Sequence, residues 1–360
     1  MRLLVLLSLT IFTAASVSAG ELELFAGGGT GVENVPATEA ALNQPFGIDF
    51  DTEGNAYLVE LKGERLLRVD IDGTFHILGG DGKPGNGGDG GPARAARFNG
   101  MHSLAMGKDG LVYLADTWNN RVRVYEPTTK IVRAFAGTGA KKYSGDNGPA
   151  IAAEFGGVFC IAFAPDGKTL YITDLDNRRI RAVDMATGSA RLVAGNGQKG
   201  VPRDGAPAAT SPLVDPRACA ADRKGNVYIL ERGGHALRVV RPDGTIHTLA
   251  GTGKAGLTGD GGDAKLATLN GPKHLCIDLD DSVIVADTAN HVIRRYTPAD
   301  GKNVRLAGTG KKGDSGRGGD PLTITFNEPH GVHVRPDGTL YIVDSMNHRV
   351  FRWRGPAANR

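Results

Sequence analysis

Five side chains that could bind a metal ion or an anion are spread along this chain. They are three histidines, His102, His274 and His330, and two cations, Arg217 and Lys273. Neutral imidazoles on facing strands can hold zinc or another divalent ion and leave one position open for substrate or water. An arginine can clamp a carboxylate or a phosphate through two parallel hydrogen bonds. These residue types predict a metal site or an anion site, provided that one fold gathers them.

A unit of strand, turn and strand that is repeated six times can gather them. In residues 111–126 an apolar strand ends at Asp116, a polar turn follows, and an alternating strand returns. The acid recurs at intervals of 56 to 58 residues, as Glu60, Asp116, Asp174, Glu231, Asp287 and Asp344. An arginine lies seven residues after the acid in four copies and eight residues after it in the first copy, and the sixth copy has Phe351 seven residues after the acid. Self-similarity at one period indicates a repeat architecture in place of separate domains.

Each copy contains four short segments with period-two alternation, bounded by Gly, Asp and Asn, which is typical of antiparallel strands. The sequence therefore predicts an all-β fold, a six-bladed β-propeller of four-stranded antiparallel blades. The predicted blades cover residues 44–80, 98–139, 155–197, 213–253, 270–310 and 327–355. The last copy stops after its third strand, and residues 21–29 match the fourth strand of the other copies. The N-terminal strand should therefore complete the last blade and close the ring.

The strand count predicts where the candidate residues meet. Four antiparallel strands reverse direction three times, so the long inserts between blades, the turns after the second strand and the starts of the inner strands share one face. The first position of the inner strands reads Phe46, His102, Phe159, Arg217, Lys273 and His330. The next position reads Gly47, Ser103, Cys160, Ala218, His274 and Gly331. Because inner strands line the channel of a propeller, these residues should converge at its mouth on the insert-bearing face.

Structural roles compete with the functional ones. A histidine at a channel mouth can also hydrogen-bond to a neighbouring blade or to water. His235, His291 and His348 occupy one repeated position of the turns, which favours a structural role. Asp89 precedes Gly-Gly-Pro92 and is expected to cap a short helix in its insert. The repeated acids are expected to accept hydrogen bonds from turn amides, and the repeated arginines are expected to pair between blades or with solvent.

The N-terminal segment predicts export. Residues 1–19 combine a positive start at Arg2, an apolar stretch and a small-residue cleavage pattern that ends at Ala19, as secretory signal peptides do. Residues 20–360 are then one propeller domain in the periplasm or outside the cell, and we expect a monomer. No later segment is apolar enough to span a membrane. The net charge of +3 comes without a basic stripe, which argues against a nucleic-acid partner.

Three cysteines, Cys160, Cys219 and Cys276, lie in inner strands among apolar neighbours. An odd number does not suggest a disulfide framework. Unpaired cysteine packs as a small hydrophobic residue, so buried free thiols are expected. A bridge between Cys219 and Cys276 is compatible with the repeat but is not predicted.

The phrases ADTWNNRVRV, TDLDNRRIRAV, ADTANHVIRRY and VDSMNHRVFRW resemble the NHL-repeat family of β-propellers, and the inserts are similar to those of exported bacterial members. The resemblance covers the whole mature chain and implies the propeller fold. The chain also resembles, more weakly, the propeller of peptidylglycine α-amidating lyase, whose zinc-binding histidines follow proline at the starts of inner strands. Pro329-His330 matches that pattern, Met101-His102 matches it without the proline, and His274 is offset by one position.

Propellers of this kind serve both as binding platforms and as enzymes, so two functions stay open. The first is an exported propeller that binds a ligand or partner at the mouth, namely a small anionic molecule, a glycan or a protein. The alternative is a metal-dependent lyase or hydrolase, with zinc or another divalent metal on His102, His274 and His330 and with Arg217 and Lys273 as catalytic groups. No nucleophile elbow, P-loop or other catalytic motif decides between them.

Overall fold

Six antiparallel sheets surround one channel in the computed structural model, which describes residues 20–355. The inner strand of each sheet contacts the inner strands of both neighbours, so that the six inner strands close a ring. This confirms the predicted all-β, six-bladed propeller. The predicted signal segment, residues 1–19, lies outside the described residues.

Each blade runs from an inner strand at the channel to an outer strand at the rim, and blades 1 to 6 follow the order of the chain. The inner strands are Pro45–Phe50, Ser103–Met106, Val158–Phe163, Pro216–Ala221, His274–Ile277 and Pro329–Val334. The second strands are Ala56–Glu60, Val112–Asp116, Thr169–Asp174, Val227–Glu231, Val283–Asp287 and Leu340–Asp344. The third strands are Leu66–Val69, Arg121–Glu126, Arg179–Asp184, Ala236–Val240, Val292–Thr297 and Arg349–Trp353. The outer strands are Thr74–Gly79, Ile131–Ala136, Ala190–Ala194, Thr245–Ala250, Lys302–Ala307 and Leu22–Gly27.

Short elements decorate this frame. Five inserts add a two-residue strand beside the outer strand: Val35–Pro36, Gly91–Pro92, Ala206–Pro207, Gly262–Asp263 and Gly318–Gly319. Five inserts contain a 3₁₀ turn: Ala37–Glu39, Ala93–Ala95, Ala150–Ala152, Ala208–Thr210 and Ala264–Leu266. Three turns after the second strand contain another: Thr117–Asn119, Thr288–Asn290 and Ser345–Asn347.

The N-terminal strand closes the ring, as predicted. Leu22–Gly27 pairs antiparallel with Arg349–Trp353, with Leu22 opposite Trp353. Leu22 and Ala26 are fully buried. The strand covers an edge that would otherwise offer unpaired backbone groups to another chain.

The apolar core lies between adjacent blades. Val122 and Val124 of blade 2, for example, pack with Phe155, Val158 and Ile161 from blade 3 and the approach to it. Each sheet is covered on both faces by its neighbours, so side chains that alternate along a strand are buried on both sides. This explains why the second strands are apolar without a polar face.

The repeated acid ties each second strand to the approach to the inner strand. One carboxylate oxygen accepts the backbone N–H of the residue seventeen or eighteen positions earlier, at 2.6–2.8 Å in all six blades. The acceptor role was predicted correctly, but these donors precede the inner strand and do not lie in the turn. In blade 3, Asn177 Nδ2 donates to Asp174 and also to the Lys142 carbonyl at 2.7 Å, which holds the insert against the turn.

Three of the repeated arginines, Arg123, Arg181 and Arg294, hold the inserts, whereas Arg68 and Arg238 pair within their own blade. The prediction that the repeated arginines pair between blades or with solvent was therefore wrong. Arg181 is fully buried. It donates to Asp146 and to the carbonyls of Glu154 and Ser144, each at 2.9 Å. In blade 6, Arg349 lies two positions before Phe351 and performs the same task.

Asp89 does not cap a helix, and that prediction was also wrong. Its carboxylate accepts from Arg123 Nε at 2.8 Å and from Arg121 Nη1 at 2.8 Å. Pro92 occupies the cap position of Ala93–Ala95, without a side-chain hydrogen bond. The carboxylate of Asp89 stabilises the buried guanidinium of Arg123, whereas a single 3₁₀ turn offers few free amides to cap.

Candidate ligand-binding site at the channel mouth

The side chains at the first position of the inner strands form a packed ring, which we call the mouth ring. Phe46 stacks on His330 with ring centroids 3.9 Å apart and meets the edge of His102 at 5.0 Å. His102 contacts Phe159 at 4.7 Å, and the Arg217 guanidinium lies 4.6 Å from the Phe159 centroid. The fold therefore brings His102, His330 and Arg217 together, as their alignment predicted.

The two histidines of the mouth ring share one tautomer. His102 Nδ1 lies 2.7 Å from the Gly100 carbonyl, and His330 Nδ1 lies 2.9 Å from the Glu328 carbonyl. A carbonyl only accepts, so Nδ1 carries the proton and Nε2 keeps a free lone pair. Burial, followed by the nearby cations of the ring, lowers the pKa of both imidazoles well below its usual value. Both are therefore neutral at pH 7.

His274 lies apart from this pair, one residue deeper in the channel. Its Nδ1 accepts from the Val332 backbone N–H at 3.4 Å, so the side chain joins blade 5 to blade 6. Neighbouring strand residues point in opposite directions, which accounts for the offset. Within residues 20–355, no three His, Cys, Asp or Glu side chains come together in a way that could hold a metal ion. The metal role of the histidines stays a prediction.

Arg217 is a buried cation that no carboxylate of residues 20–355 approaches within ion-pair distance. It is 4% exposed, and its Nη1 reaches the Phe159 carbonyl at 3.4 Å. Across residues 20–355, its Nε finds no hydrogen-bond partner and no carboxylate forms an ion pair with it. Burial and then the charge of Arg232 lower the pKa of Arg217 to about 9. Lys273 differs, because its Nζ pairs with Glu328 at 3.2 Å.

A pocket of about 470 Å³ lies where blades 3 and 4 meet on the insert-bearing face, and two of its lining residues, Asp215 and Arg232, are close enough to Arg217 to act on its charge. Its charged lining consists of Lys141, Asp176, Arg178, Lys199, Asp215 and Arg232. Lys141 pairs with Asp176 and Arg232 pairs with Asp215, each at 2.7 Å. Four cations against two carboxylates leave this pocket electropositive. Sequence reasoning missed it, because its side chains come from turns and inserts with no shared motif.

Trp118 extends the mouth ring toward solvent. It is 45% exposed, and its ring lies 5.7 Å from that of His102. Lys62 Nζ lies 5.6 Å from the Trp118 ring. Gly100 has φ of 65°, and a Cβ there would lie 2.2 Å from the indole, so a larger residue would displace Trp118. An exposed aromatic surface therefore adjoins the buried ring.

The three turn histidines have the structural role that was expected. His235, His291 and His348 each occupy a left-handed backbone position. Their Nδ1 atoms accept backbone N–H groups at the entry to the next blade, at 3.0–3.1 Å. In blade 1, Glu64 does the same for Gly100 at 2.8 Å. We call these four contacts the blade latches.

Comparison with known proteins agrees with this architecture. A sequence model of the NHL repeat matches residues 98–125 and 326–353, which hold the first three strands of blades 2 and 6. The protein SUPPRESSOR OF QUENCHING 1, chloroplastic, of Arabidopsis thaliana is 28% identical over 285 residues, or 76% of this chain and 27% of that protein. NHL repeat-containing protein 2 of Gallus gallus is 26% identical over 329 residues, or 83% of this chain and 43% of that protein. The chain thus spans less than half the length of these curated relatives.

Among solved structures, an auxiliary nutrient binding protein from Bacteroides thetaiotaomicron has a TM-score of 0.68 at 14% identity, covering 92% of this chain and 75% of that one. The chain is therefore a six-bladed β-propeller in which two segments match the NHL repeat. In the part that the structure describes, no helix is long and apolar enough to cross a membrane.

Proposed function

We propose that this protein is an exported NHL propeller that binds a small anionic ligand at the insert-bearing mouth of its channel. Arg217 is the buried anchor, and the observation that carries the proposal is its lack of a counter-ion within residues 20–355. The three fully buried arginines, Arg123, Arg181 and Arg294, each hold a carboxylate. An unpaired buried charge costs several kcal/mol, and a bound carboxylate or phosphate would offset that cost.

The neighbouring pocket supports the size and charge of this ligand. Its volume of about 470 Å³ falls within the range of about 300–1,000 Å³ for small-molecule sites. Its excess of cations would attract an anion and deliver it toward Arg217. The sequence also allows a glycan or a protein partner, but a single buried charge fits either of them less well than it fits a small anion. The likeness to an auxiliary nutrient binding protein supports a binding role in general.

Titration of the full mature chain, residues 20–360, with inorganic phosphate and with citrate tests this proposal. Isothermal calorimetry should detect binding of at least one of them, and Arg217→Met should weaken that binding by a factor of about 100, as the loss of a buried charge partner does. Arg133→Met is the matched control, because it removes an exposed arginine from an outer strand of blade 2. Equal affinities of wild type and the Arg217→Met variant would refute the anchor role.

A metal-dependent lyase or hydrolase is the second candidate. It is favoured by the free Nε2 lone pairs of His102 and His330, the form in which imidazole binds a metal. Metal analysis of protein purified without an affinity tag is the direct test. A zinc content near one per chain that disappears in the His102→Ala, His330→Ala variant would support this candidate. A zinc content that the two substitutions leave unchanged would remove it.

Export rests on the pattern of residues 1–19. Fractionation of cells that express the full chain should recover a product that begins at Gly20 outside the cytoplasm. An intact N-terminus in the cytoplasmic fraction would show that residues 1–19 do not direct export.

A further inference from the structure

A second cavity, of about 280 Å³, lies in the channel beyond the mouth ring. The later residues of all six inner strands line it. Met106, Phe163, Ile277 and Val334, which end four of these strands, are partly exposed, so the cavity reaches toward the face opposite the inserts. Its volume is several times that of one water molecule, about 30 Å³. A reagent little larger than water can therefore enter it.

Two free cysteines meet in the wall of this cavity. Cys160 Sγ lies 3.7 Å from the Cys219 carbonyl oxygen, on the neighbouring inner strand. Thr173 Oγ1 donates to Cys219 Sγ at 3.3 Å, and Ser103 Oγ lies 4.0 Å from Cys160 Sγ. The Cys160 thiol of blade 3 thus contacts Cys219 of blade 4, and each of the two thiols lies close to a hydroxyl group.

The two thiols differ in acidity. The pKa of Cys160 lies well below the usual thiol value, mainly because the Cys219 side chain donates a hydrogen bond to it and also because His274 is nearby. The same contact, followed by burial, raises the pKa of Cys219. Burial also raises the pKa of Cys276, which lines the cavity in blade 5. Because the thiolate is the nucleophile, Cys160 is the sulfur that reacts first.

We propose that Cys160 and Cys219 form an oxidisable thiol pair, which a small peroxide entering this cavity converts into a disulfide between blades 3 and 4. The Cys160 thiolate attacks one peroxide oxygen, the O–O bond breaks, and hydroxide leaves, so that Cys160 becomes a sulfenic acid. Cys219 then attacks that sulfur, the S–O bond breaks, and the proton of Cys219 leaves with the hydroxyl group as water. Two electrons pass from the thiols to the peroxide.

Hydrogen peroxide treatment of the folded mature chain tests this pair. The number of free thiols titrated per chain after unfolding should fall from three to one. Mass spectrometry should find the peptides of Cys160 and Cys219 joined by a disulfide. Cys276→Ser should leave the cross-link unchanged. Cys219→Ser should accumulate a Cys160 sulfenic acid that dimedone labels, and an unchanged melting temperature would show that this variant folds. Three free thiols after treatment, or a cross-link that involves Cys276, would overturn the proposal.

Discussion

Arg217→Met should stabilise the protein, which is unusual for the loss of a buried side chain. The pKa of Arg217 falls from 12.5 to about 9 in the fold, and at about 1.4 kcal/mol per pKa unit the charged guanidinium costs the folded state about 5 kcal/mol. Apolar replacements of buried ions stabilise proteins by about 1–4 kcal/mol. Because methionine keeps much of the volume against Phe159, we expect a gain of about 2–4 kcal/mol in the free energy of unfolding.

Urea denaturation at several pH values measures this gain and its sign. A base whose pKa is lower in the folded than in the unfolded chain binds fewer protons when folded, so its penalty is fully present below the folded pKa. The penalty then diminishes as the pH rises from about 9 toward 12.5. The difference in unfolding free energy between wild type and the Arg217→Met variant should therefore be constant between about pH 6 and 8 and should become smaller above about pH 9.

The same substitution at a paired arginine gives the control. Arg181→Met leaves Asp146 and two insert carbonyls without a donor, so we expect a loss of about 3–5 kcal/mol. A bound anion at about 100 times its dissociation constant should stabilise wild type by about 2.7 kcal/mol and should not stabilise the Arg217→Met variant. If both arginine variants lose stability alike, Arg217 has a partner in the fold and the reasoning fails.

Three further outcomes are expected. Acid should weaken the blade latches, because burial lowers the pKa of His235 and His291: their stabilisation is present above the unfolded pKa of about 6.5 and is lost as the pH falls through the folded pKa. Replacing these two histidines with Asn should therefore reduce the loss of unfolding free energy between about pH 7 and 5, and an unchanged pH dependence in urea denaturation would contradict this. Deletion of residues 1–29 should lower the melting temperature and cause self-association that light scattering detects, whereas a chain lacking only residues 1–19 should stay monodisperse. Asn177→Ala should cost about 1–3 kcal/mol and expose the insert at residues 138–155 to limited proteolysis, and resistance equal to wild type would show that Asn177 does not hold the insert.

Sequence periodicity predicted most of the fold and part of the site. A repeated acid at the end of each second strand defined six blades, and the resemblance of residues 21–29 to outer strands predicted the closure by Leu22–Gly27. Alignment on the acid also predicted that His102, Arg217 and His330 would meet. Such patterns are enough to predict the fold, because period-two alternation and turn residues indicate where strands lie and which residues are buried. The same strands and buried positions recur in every blade.

The tertiary structure decided which partner each polar group finds. Arg181 and Arg217 are both buried arginines in strands of the repeat, yet Asp146 reaches the first and no carboxylate of residues 20–355 pairs with the second. The offset of His274, the contact of Cys160 with Cys219, and the pocket between blades 3 and 4 depend likewise on residues about one repeat apart. Their distances follow from how neighbouring blades pack against each other, and local periodicity carries no information about that packing.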